Sequence, residues 1–474
     1  MSDPPNVLLV VLDAARRDAL TPYGAPAEAT PTLAALAARG TAVAQAYTTA
    51  PWTVPAHTSL FTGRIASELG LDQIQDGNPR MVIEALASVS DELLPSVLGR
   101  AGYRCEGFSA NLWLSPDTGF DAGFDEYRYF ASERVLPVEP GRRATLKWAA
   151  EGLRAHRDAG AAAIGAALRS SIAAADPSRP SFWFVNLVEC HSPYLPPKPW
   201  NDLGPWGRVQ AALDSRRHLG FESICLAAAG RTSIKGAALA RMRHLYDRAI
   251  SYMDAWLADV LAALSARAML NNTLVIVTAD HGESFGENGL MAHGFSLGEQ
   301  LLHVPLIAAG PGITGLLASN TAGAFSLASI PFVVAEAAGV EHPYSAGDGI
   351  AVARSKPMCE PDDQRIVDFA ARWHLSAAEV TRITSGFTAA TDGATKLVVS
   401  DDGRESLYHL ASDPTEHSPS SVVGAGAERL REAVAGVVRA DRAWVASPAA
   451  AGDADADAET IAALEQQMKL LGYM

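Results

Sequence analysis

The sequence has 474 residues, of which 48% are hydrophobic and 19% are charged, a balance typical of a folded globular protein. Its 53 acidic residues outnumber its 38 basic residues, and the resulting net charge of −15 argues against nucleic acid as a partner. It shows no secretory leader, no run of roughly 18–20 apolar residues that would span a membrane, and four widely separated cysteines, so we expect a soluble cytoplasmic protein with no membrane partner.

Three short, continuous apolar runs predict central strands of a parallel sheet, because such strands are covered on both faces. The runs are residues 7–12, 182–188 and 274–277. Helical patterns lie between them, including a long amphipathic stretch at 239–264 and a shorter helix capped by Thr30 and ended by Gly40. This alternation predicts an α/β fold with a large, mostly parallel sheet flanked by helices.

The pattern changes after about residue 380. Two strand-like stretches, 395–400 and 406–410, are separated by a turn at Asp402-Gly403, and a helix is expected around 428–438. We therefore predict a catalytic α/β domain over residues 1–380 and a small C-terminal antiparallel sheet with a helix over 381–446. Residues 447–474 are predicted to form a linker and a terminal helix.

Each apolar run ends in polar residues that can bind a metal or transfer a proton. Because ligands of open α/β sheets bind beyond the carboxyl ends of the strands, we expect Asp13, Asp280 and His281 to meet at one sheet edge. Two carboxylates and an imidazole can hold one divalent ion, for which Mn²⁺ or Zn²⁺ fits best and Fe²⁺ and Ca²⁺ are alternatives. A strand-end Asp can also simply cap the next helix, but the Asp-His pair followed by Gly282 favours the metal site.

Segment 52–64 contains Thr53 before a stretch that is predicted to begin a helix. A hydroxyl at a helix start, close to a divalent ion, can lose its proton, attack an electrophile and serve as a further metal ligand. Threonine is also a common helix cap, and His57 in the same segment can simply hydrogen bond to the backbone. The residues alone leave both interpretations open.

The same segment resembles the signature of the sulfatase family, in the alkaline phosphatase superfamily. There a cysteine is followed by any residue, then Pro-Ser-Arg, and later Thr-Gly-Arg; Pro55 and Thr62-Gly63-Arg64 match, and Thr53 stands at the cysteine position. Further segments resemble the family's metal-ligand strands, its following strand, its small-domain signature and its ending. These are residues 6–13, 278–283, 304–307, 406–416 and 470–473. The resemblance implies an alkaline phosphatase-like fold and a metal-dependent hydrolase.

The departures from the sulfatase pattern bear on the reaction. Sulfatases oxidise the cysteine to formylglycine, an aldehyde that Thr53 cannot become by that route. His57 replaces the usual arginine, Ala14 replaces a second acidic ligand, and His281 stands where many sulfatases have asparagine. The set instead resembles the superfamily's phosphodiesterases and phospho-group transferases. We therefore predict hydrolysis of phosphodiesters or phosphonate monoesters through phospho-Thr53.

The resemblance also places three residues near the substrate, which we expect to be a small anionic ester. His191 resembles a His-x-Pro element, His293 lies where relatives often carry Lys or His, and Asn111 matches a loop near the site. The predicted catalytic residues are therefore Thr53, His57, His191 and His293, although a lone histidine is more often structural. Glu189 with these histidines would make a poor second metal site, so we expect one metal.

Other functions stay open from the sequence. A sulfatase-like hydrolase or a phospho-group transferase of an intracellular biosynthetic pathway is the enzymatic alternative, and a non-catalytic binding protein is the alternative of another class. The intact Asp13, Asp280 and His281 set argues against the binding protein. Whether the chain forms a homo-oligomer is also left open.

Overall fold

The computed structural model describes residues 4–74, 78–132, 136–137, 141–320, 323–357, 359–420 and 425–445. The strands in these ranges are β1 (Asn6–Leu12), β2 (Thr41–Ala42), β3 (Ala46–Tyr47), β4 (Arg104–Ser109), β5 (Glu126–Tyr129), β6 (Ser181–Leu187), β7 (Thr273–Thr278), β8 (Ser284–Phe285), β9 (Met291–Ala292), β10 (Leu306–Ala309), β11 (Phe325–Ser326), β12 (Ala351–Ser355), β13 (Phe387–Thr391), β14 (Thr395–Ser400) and β15 (Glu405–His409).

The helices in the same ranges connect and cover these strands. They are α1 (Pro31–Arg39), α2 (Thr53–Thr62), α3 (Pro79–Ser88), α4 (Leu94–Arg100), α5 (Arg142–Arg154), α6 (Ala161–Ala174), α7 (Pro205–His218), α8 (Phe221–Ala228), α9 (Gly236–Ala266), α10 (Glu299–Leu302), α11 (Ile313–Asn320), α12 (Ile330–Ala338), α13 (Gln364–Trp373), α14 (Ala377–Ile383) and α15 (Ala425–Val445).

The large sheet has the strand order β2-β10-β7-β1-β6-β4-β5. Strand β1 pairs in parallel with both β6 and β7, and β4 continues the parallel part on the other side of β6. Strand β10 is antiparallel to β7 and to β2, so the sheet is mostly parallel with an antiparallel edge. The three predicted apolar runs are thus the three adjacent central strands.

Burial explains the composition of these central strands. Every residue of β1, β6 and β7 is buried, and β-branched or aromatic side chains fill both faces of the sheet. Because β1 lies between β6 and β7 and all three run in the same direction, their carboxyl ends open at one edge. The residues that follow them are therefore neighbours in space, as the sequence predicts.

The second sheet is small, antiparallel and ordered β12-β13-β14-β15, with α15 packed against it. The predicted turn at Asp402-Gly403 joins β14 to β15, and Gly403 adopts a left-handed φ of 85°. One strand of this sheet, β12, comes from before residue 381, so the sheet contains residues from both sides of the predicted domain boundary. The domain boundaries themselves stay a prediction, and the expected linker and helix at 447–474 lie outside the described residues.

Helix α9 is long and apolar enough to cross a membrane by length and composition alone. Its apolar residues, however, are largely buried, and it packs against α1, α6 and α7 as a core helix. The carboxylate of Asp254 on α9 accepts the N–H groups of Thr32 and Leu33 and so caps α1. Thr30 makes no such cap, which corrects that expectation, because its hydroxyl instead accepts the N–H of Thr21.

Candidate active site

Asp13 follows β1 directly and is fully buried. Its N–H donates to the carbonyl of Leu187 at the end of β6 (2.8 Å), which extends the sheet by one residue. The next residue, Ala14, has a left-handed φ of 61°, and its N–H donates to Asp280 Oδ1 at 3.1 Å. The chain thus turns sharply after β1 and brings the Asp13 and Asp280 carboxylates together.

Tyr246 of α9 fixes the turn that follows Asp13. Its hydroxyl donates to the carbonyl of Ala14 (2.8 Å) and accepts the N–H of Arg16 (2.6 Å). The Arg16 guanidinium, which is largely buried, donates to the carbonyl of Glu283 at 2.9 Å. The turn after β1 is therefore tied to the helix behind it and to the segment after β7.

His281 lies beside these carboxylates with its tautomer set by a backbone partner. Nδ1 lies 2.8 Å from the carbonyl of Gly282, so Nδ1 carries the proton and donates it there. Nε2 then presents a lone pair toward the two carboxylates, 3.5 Å from Asp280 Oδ2 and 4.0 Å from Asp13 Oδ1. A neutral histidine held in this way is the form that binds metals.

The three predicted ligands leave one buried atom each without a hydrogen-bond partner. These atoms are Asp13 Oδ1, Asp280 Oδ2 and His281 Nε2. They lie within 4.8 Å of one another, and no other group of three or more His, Cys, Asp or Glu ligands is found in the part of the chain that the structure describes. Orphaned buried acceptors are costly, and three that converge fit a shared cation.

The electrostatics of the site point to the same conclusion. Burial raises the pKa of Asp13, and the neighbouring charge of Asp280 raises it further. Burial likewise raises the pKa of Asp280 to about 7, although hydrogen bonds from the N–H groups of Ala14 and His281 act to lower it. Two buried carboxylates so close together need positive charge, and a divalent ion with oxygen and nitrogen ligands supplies it.

Thr53 lies at the first residue of α2 and is almost fully buried. The side-chain amide of Asn111 donates to Thr53 Oγ1 at 3.3 Å and to Asp13 Oδ2 at 2.6 Å. Asn111 Oδ1 in turn accepts the N–H of Trp113 at 2.9 Å, which fixes the direction of the amide. Asn111 therefore joins the candidate nucleophile to a candidate metal ligand.

His57 lies one turn along α2 and is fully enclosed, with Phe120 and Phe184 against its ring. Its Nδ1 donates to the carbonyl of Thr53 (2.9 Å), and its Nε2 accepts the side-chain amide of Asn186 (3.5 Å). Burial lowers its pKa to about 3, so it is neutral. His57 Nδ1 also lies 3.6 Å from Asp280 Oδ2, so the ring contacts both Thr53 and a candidate metal ligand, and its catalytic role stays a prediction.

His293 lies beside His281, and His191 lies beside His293. The ring centroids of His293 and His281 are 4.3 Å apart, and those of His293 and His191 are 5.1 Å apart. His293 Nδ1 lies 2.9 Å from Glu283 Oε1, and Glu283 also accepts the hydroxyl of Tyr194 at 2.8 Å. His191 and His293 are both half-buried, whereas His281 is fully buried.

Glu189 is occupied by a structural role. Its carboxylate accepts the N–H of Ala159 at 2.8 and 3.0 Å and the N–H of Ala161 at 3.0 Å, and so it caps the start of α6. The carboxylate therefore does not complete a second ligand set with His191 and His293.

Asn186 and Glu283 are residues of the site that sequence reasoning missed. Asn186 is the one polar side chain within β6 after Ser181, and its amide contacts both His57 and Asp13 Oδ2, each at 3.5 Å. A lone amide inside an otherwise apolar buried strand is a signal that could have identified it. Glu283 directly follows the Asp-His-Gly segment, and this position next to candidate ligands is a signal that could have identified it.

Comparisons with known proteins identify the family of the chain. The family model described as sulfatase matches residues 5–327. The chain is 24% identical to an arylsulfatase of Clostridium perfringens over 65% of this chain and 69% of that protein. It is 25% identical to a choline-sulfatase of Rhizobium meliloti over 87% of this chain and 81% of that protein.

Solved structures show the same fold at low sequence identity. A 2-O GAG sulfatase superposes with a TM-score of 0.63 at 16% identity, covering 97% of this chain and 96% of that one. The phosphonate monoester hydrolase of Agrobacterium radiobacter superposes with a TM-score of 0.60 at 19% identity, covering 93% and 95%. Since the family model covers most of the chain and includes Asp13, Thr53, Asp280 and His281, this protein belongs to the sulfatase family of hydrolases.

Proposed function

We propose that this sulfatase-family hydrolase cleaves phosphodiesters or phosphonate monoesters through a covalent intermediate on Thr53. The observation that carries the proposal is the contact of Asn111 with both Thr53 Oγ1 and Asp13 Oδ2, since it holds a hydroxyl beside the three orphaned ligand atoms. The hydroxyl also lies at the start of α2, where the helix favours negative charge.

Asp13, Asp280 and His281 would hold one divalent ion, with Thr53 as a further ligand. Such an ion supplies Lewis acidity, which lowers the pKa of a bound hydroxyl and offsets the charge of a phosphoryl group. Asn111 and His57 orient Thr53 from its side chain and from its backbone, respectively. The nucleophile is therefore held in place before substrate binds.

The reaction would proceed in two displacements at phosphorus. In the first, Thr53 Oγ1 gives up its proton to solvent and forms a bond to phosphorus, the bond to the leaving oxygen breaks, and His191 donates a proton to that oxygen. In the second, a water oxygen attacks phosphorus, and the bond between phosphorus and Thr53 breaks. Thr53 Oγ1 and His191 each regain a proton from solvent, the proton taken from the attacking water is released to solvent, and the phosphate or phosphonate product leaves.

His293 fits the second displacement. Because its Nδ1 donates to Glu283, Nε2 is left as an acceptor that can take a proton from the attacking water. Attack by an alcohol in place of water would make the enzyme a phospho-group transferase, and the arrangement of the chain's own residues would be the same.

Sulfate ester hydrolysis is the main alternative, and several relatives are named as sulfatases. Threonine lacks the aldehyde hydrate from which sulfate is expelled by elimination. Cys190 does not replace it, because its thiol is buried and donates to the carbonyl of Asp13 at 3.0 Å. The four free cysteines support our proposal that the protein works in a reducing compartment such as the cytoplasm.

The proposal is tested with aryl esters that share one leaving group: a phosphodiester, a phosphonate monoester, a phosphate monoester and a sulfate ester. We expect kcat/KM to be highest for the phosphodiester and the phosphonate monoester. Metal content is measured in the same samples. A clear preference for sulfate by protein with unmodified Thr53 would overturn the proposal. Activity on none of the four, with metal bound, would favour a binding protein.

A trapping experiment tests the intermediate directly. Rapid acid quenching during turnover, followed by peptide mass spectrometry, should find phosphate or phosphonate on Thr53. The matched control is Thr58, a buried threonine of the same helix whose hydroxyl donates to the carbonyl of Val54 at 2.8 Å. Modification of both residues, or of neither during confirmed turnover, would contradict nucleophilic catalysis by Thr53.

A further inference from the structure

We propose that the protein docks on anionic lipid bilayers through one surface, which we name the basic-apolar face. It is formed by the solvent side of α5 and the start of α7, and it consists of Arg143, Leu146, Lys147, Leu153, Arg154 and Trp206. The proposal is independent of the reaction at Thr53, because it rests on a surface outside the catalytic site.

Helix α5 presents two stripes to solvent. Leu146 and Leu153 are seven residues apart and so lie on one line along the helix, with side chains 69% and 48% exposed. Exposed Arg143, Lys147 and Arg154 form an adjacent basic line, because spacings of four and seven residues also keep side chains on one side of a helix. The opposite side of the helix is buried, so α5 lies on the protein with both stripes facing outward.

Helix α7 packs against α5 and carries a further exposed apolar residue. The two helices touch closely at Gly152, where a Cβ would lie 2.6 Å from the carbonyl oxygen of Arg208 and 2.7 Å from the Cβ of Ala212. Trp206 is two residues from Arg208, and with 70% of its surface exposed it is the most exposed large hydrophobic residue among those described. Trp206 and Leu153 therefore lie close to the same helix crossing.

The basic side chains of this face are available to a partner. Arg143, Lys147 and Arg154 form no ion pair with any carboxylate in the described ranges, and Glu151 is the one acidic residue of α5. The acidic residues Asp202 and Asp214 of the neighbouring segment are paired with other basic residues. Asp214 pairs with Arg241 at 2.6 Å, and Asp202 pairs with both His244 and Arg248. A local positive surface on a chain of net charge −15 indicates a specific anionic partner.

The combination of stripes fits a bilayer better than other partners. Exposed Leu and Trp beside Lys and Arg are what an interfacial helix needs to insert shallowly among anionic headgroups. A second copy of this chain would bring the same basic stripe against itself in a two-fold contact, which like charges oppose. The sequence predicts no membrane partner because it contains no predicted transmembrane segment. Binding to the surface of a bilayer instead uses residues that come together only in the folded helices.

The face is connected to the active-site loop. The N–H of Lys198 donates to the carbonyl of Ala155 at the end of α5 (2.9 Å), and Ser215 Oγ of α7 donates to the carbonyl of Pro193 (2.8 Å). Both helices are thus tied to the segment that begins with His191. Docking would hold that segment next to the lipid surface.

The test is sedimentation of the full chain with vesicles of neutral phosphatidylcholine or of phosphatidylcholine mixed with phosphatidylglycerol. We expect binding to the anionic vesicles only, and weaker binding at high salt, where charges are screened. Two triple variants should each lower the binding constant at least tenfold. They are Arg143→Glu/Lys147→Glu/Arg154→Glu and Leu146→Gln/Leu153→Gln/Trp206→Gln.

Matched controls separate the face from general charge and apolar effects. Arg429→Glu/Arg439→Glu/Arg442→Glu on α15 makes the same charge change at exposed positions, and Val367→Gln on α13 removes another exposed apolar side chain. Both should bind vesicles like the unmodified protein. Unchanged thermal unfolding of all variants shows that they are folded.

Three outcomes would overturn the proposal. The unmodified protein does not sediment with anionic vesicles, or the α15 control loses as much binding as the α5 variant. The third is a change of oligomeric mass in the apolar variant without a change in vesicle binding, which would make the face a contact between copies.

Discussion

Asp280→Asn tests the metal site through stability, with no need for a substrate. Asparagine keeps the acceptor of the Ala14 and His281 N–H groups, and it places an amide nitrogen where Oδ2 now lies 3.5 Å from His281 Nε2. It removes one buried negative charge, so without metal we expect the variant to be more stable than the unmodified protein by about 1–3 kcal/mol.

Metal should reverse this order. An ion at a hundred times its dissociation constant adds about 2.7 kcal/mol to the unmodified protein, which corresponds to roughly 3 °C in Tm for a cooperative chain of this length. The variant loses one ligand and should gain much less. The assay is thermal and denaturant unfolding of both proteins, with a chelator and with Mn²⁺ or Zn²⁺ added, beside elemental analysis.

Asp254→Asn is the matched control, since Asp254 is a buried carboxylate that caps α1 far along the chain from the ligands. It should lower stability in both conditions and leave the response to metal unchanged. The reasoning is refuted if Asp280→Asn is less stable than the unmodified protein without metal, and if added metal raises the Tm of the two proteins equally and binds to both in equal amounts.

Three further predictions concern the nucleophile, the turn after β1 and acid stability. Thr53→Ala should abolish turnover and keep the fold and most metal affinity; activity within about tenfold of the original, near 1.4 kcal/mol, would contradict a nucleophile, and Thr58→Ala is the control. Tyr246→Phe leaves a buried N–H and carbonyl unpaired, so unfolding in denaturant should show a loss of about 1–3 kcal/mol, and an unchanged midpoint would refute that bridge. Burial would raise the pKa of Glu299, but the charge of buried Lys396 lowers it to about 2. The free energy of unfolding should therefore fall by up to about 3 kcal/mol as the pH drops from about 5 toward 2. Acid titrations of unfolding should show a weaker pH dependence for Glu299→Gln.

Sequence reasoning predicted that the three candidate metal ligands lie together because the rule that connects them is simple. Asp13, Asp280 and His281 each follow an apolar run, and parallel strands with buried faces place their carboxyl ends together. That inference requires only that β1 and β7 are neighbours, and the order of the other strands does not affect it.

The supporting residues could not be found in the same way. Asn186 reaches Asp13 and His57 through the register of β6 against β1, which pairs Asn186 with Val11 and which no local pattern specifies. The catalytic role of His57 stays a prediction. It lies four residues after Thr53, on the same face of α2, and this spacing brings its Nδ1 to the Thr53 carbonyl and to within 3.6 Å of Asp280 Oδ2.

The left-handed backbone at Ala14 bears on how the metal preference of this site can be altered. Alanine adopts such a φ at a cost of roughly 1–2 kcal/mol, whereas aspartate and asparagine enter this region more readily. Position 14 is where sulfatases usually carry a second acidic ligand, so the main chain here already has a shape that accepts one. Ala14→Asp would therefore add a carboxylate without a new backbone conformation. With three acidic side chains around the ion, the centre should shift from transition metals toward Ca²⁺, and one substitution would be enough to re-engineer its selectivity.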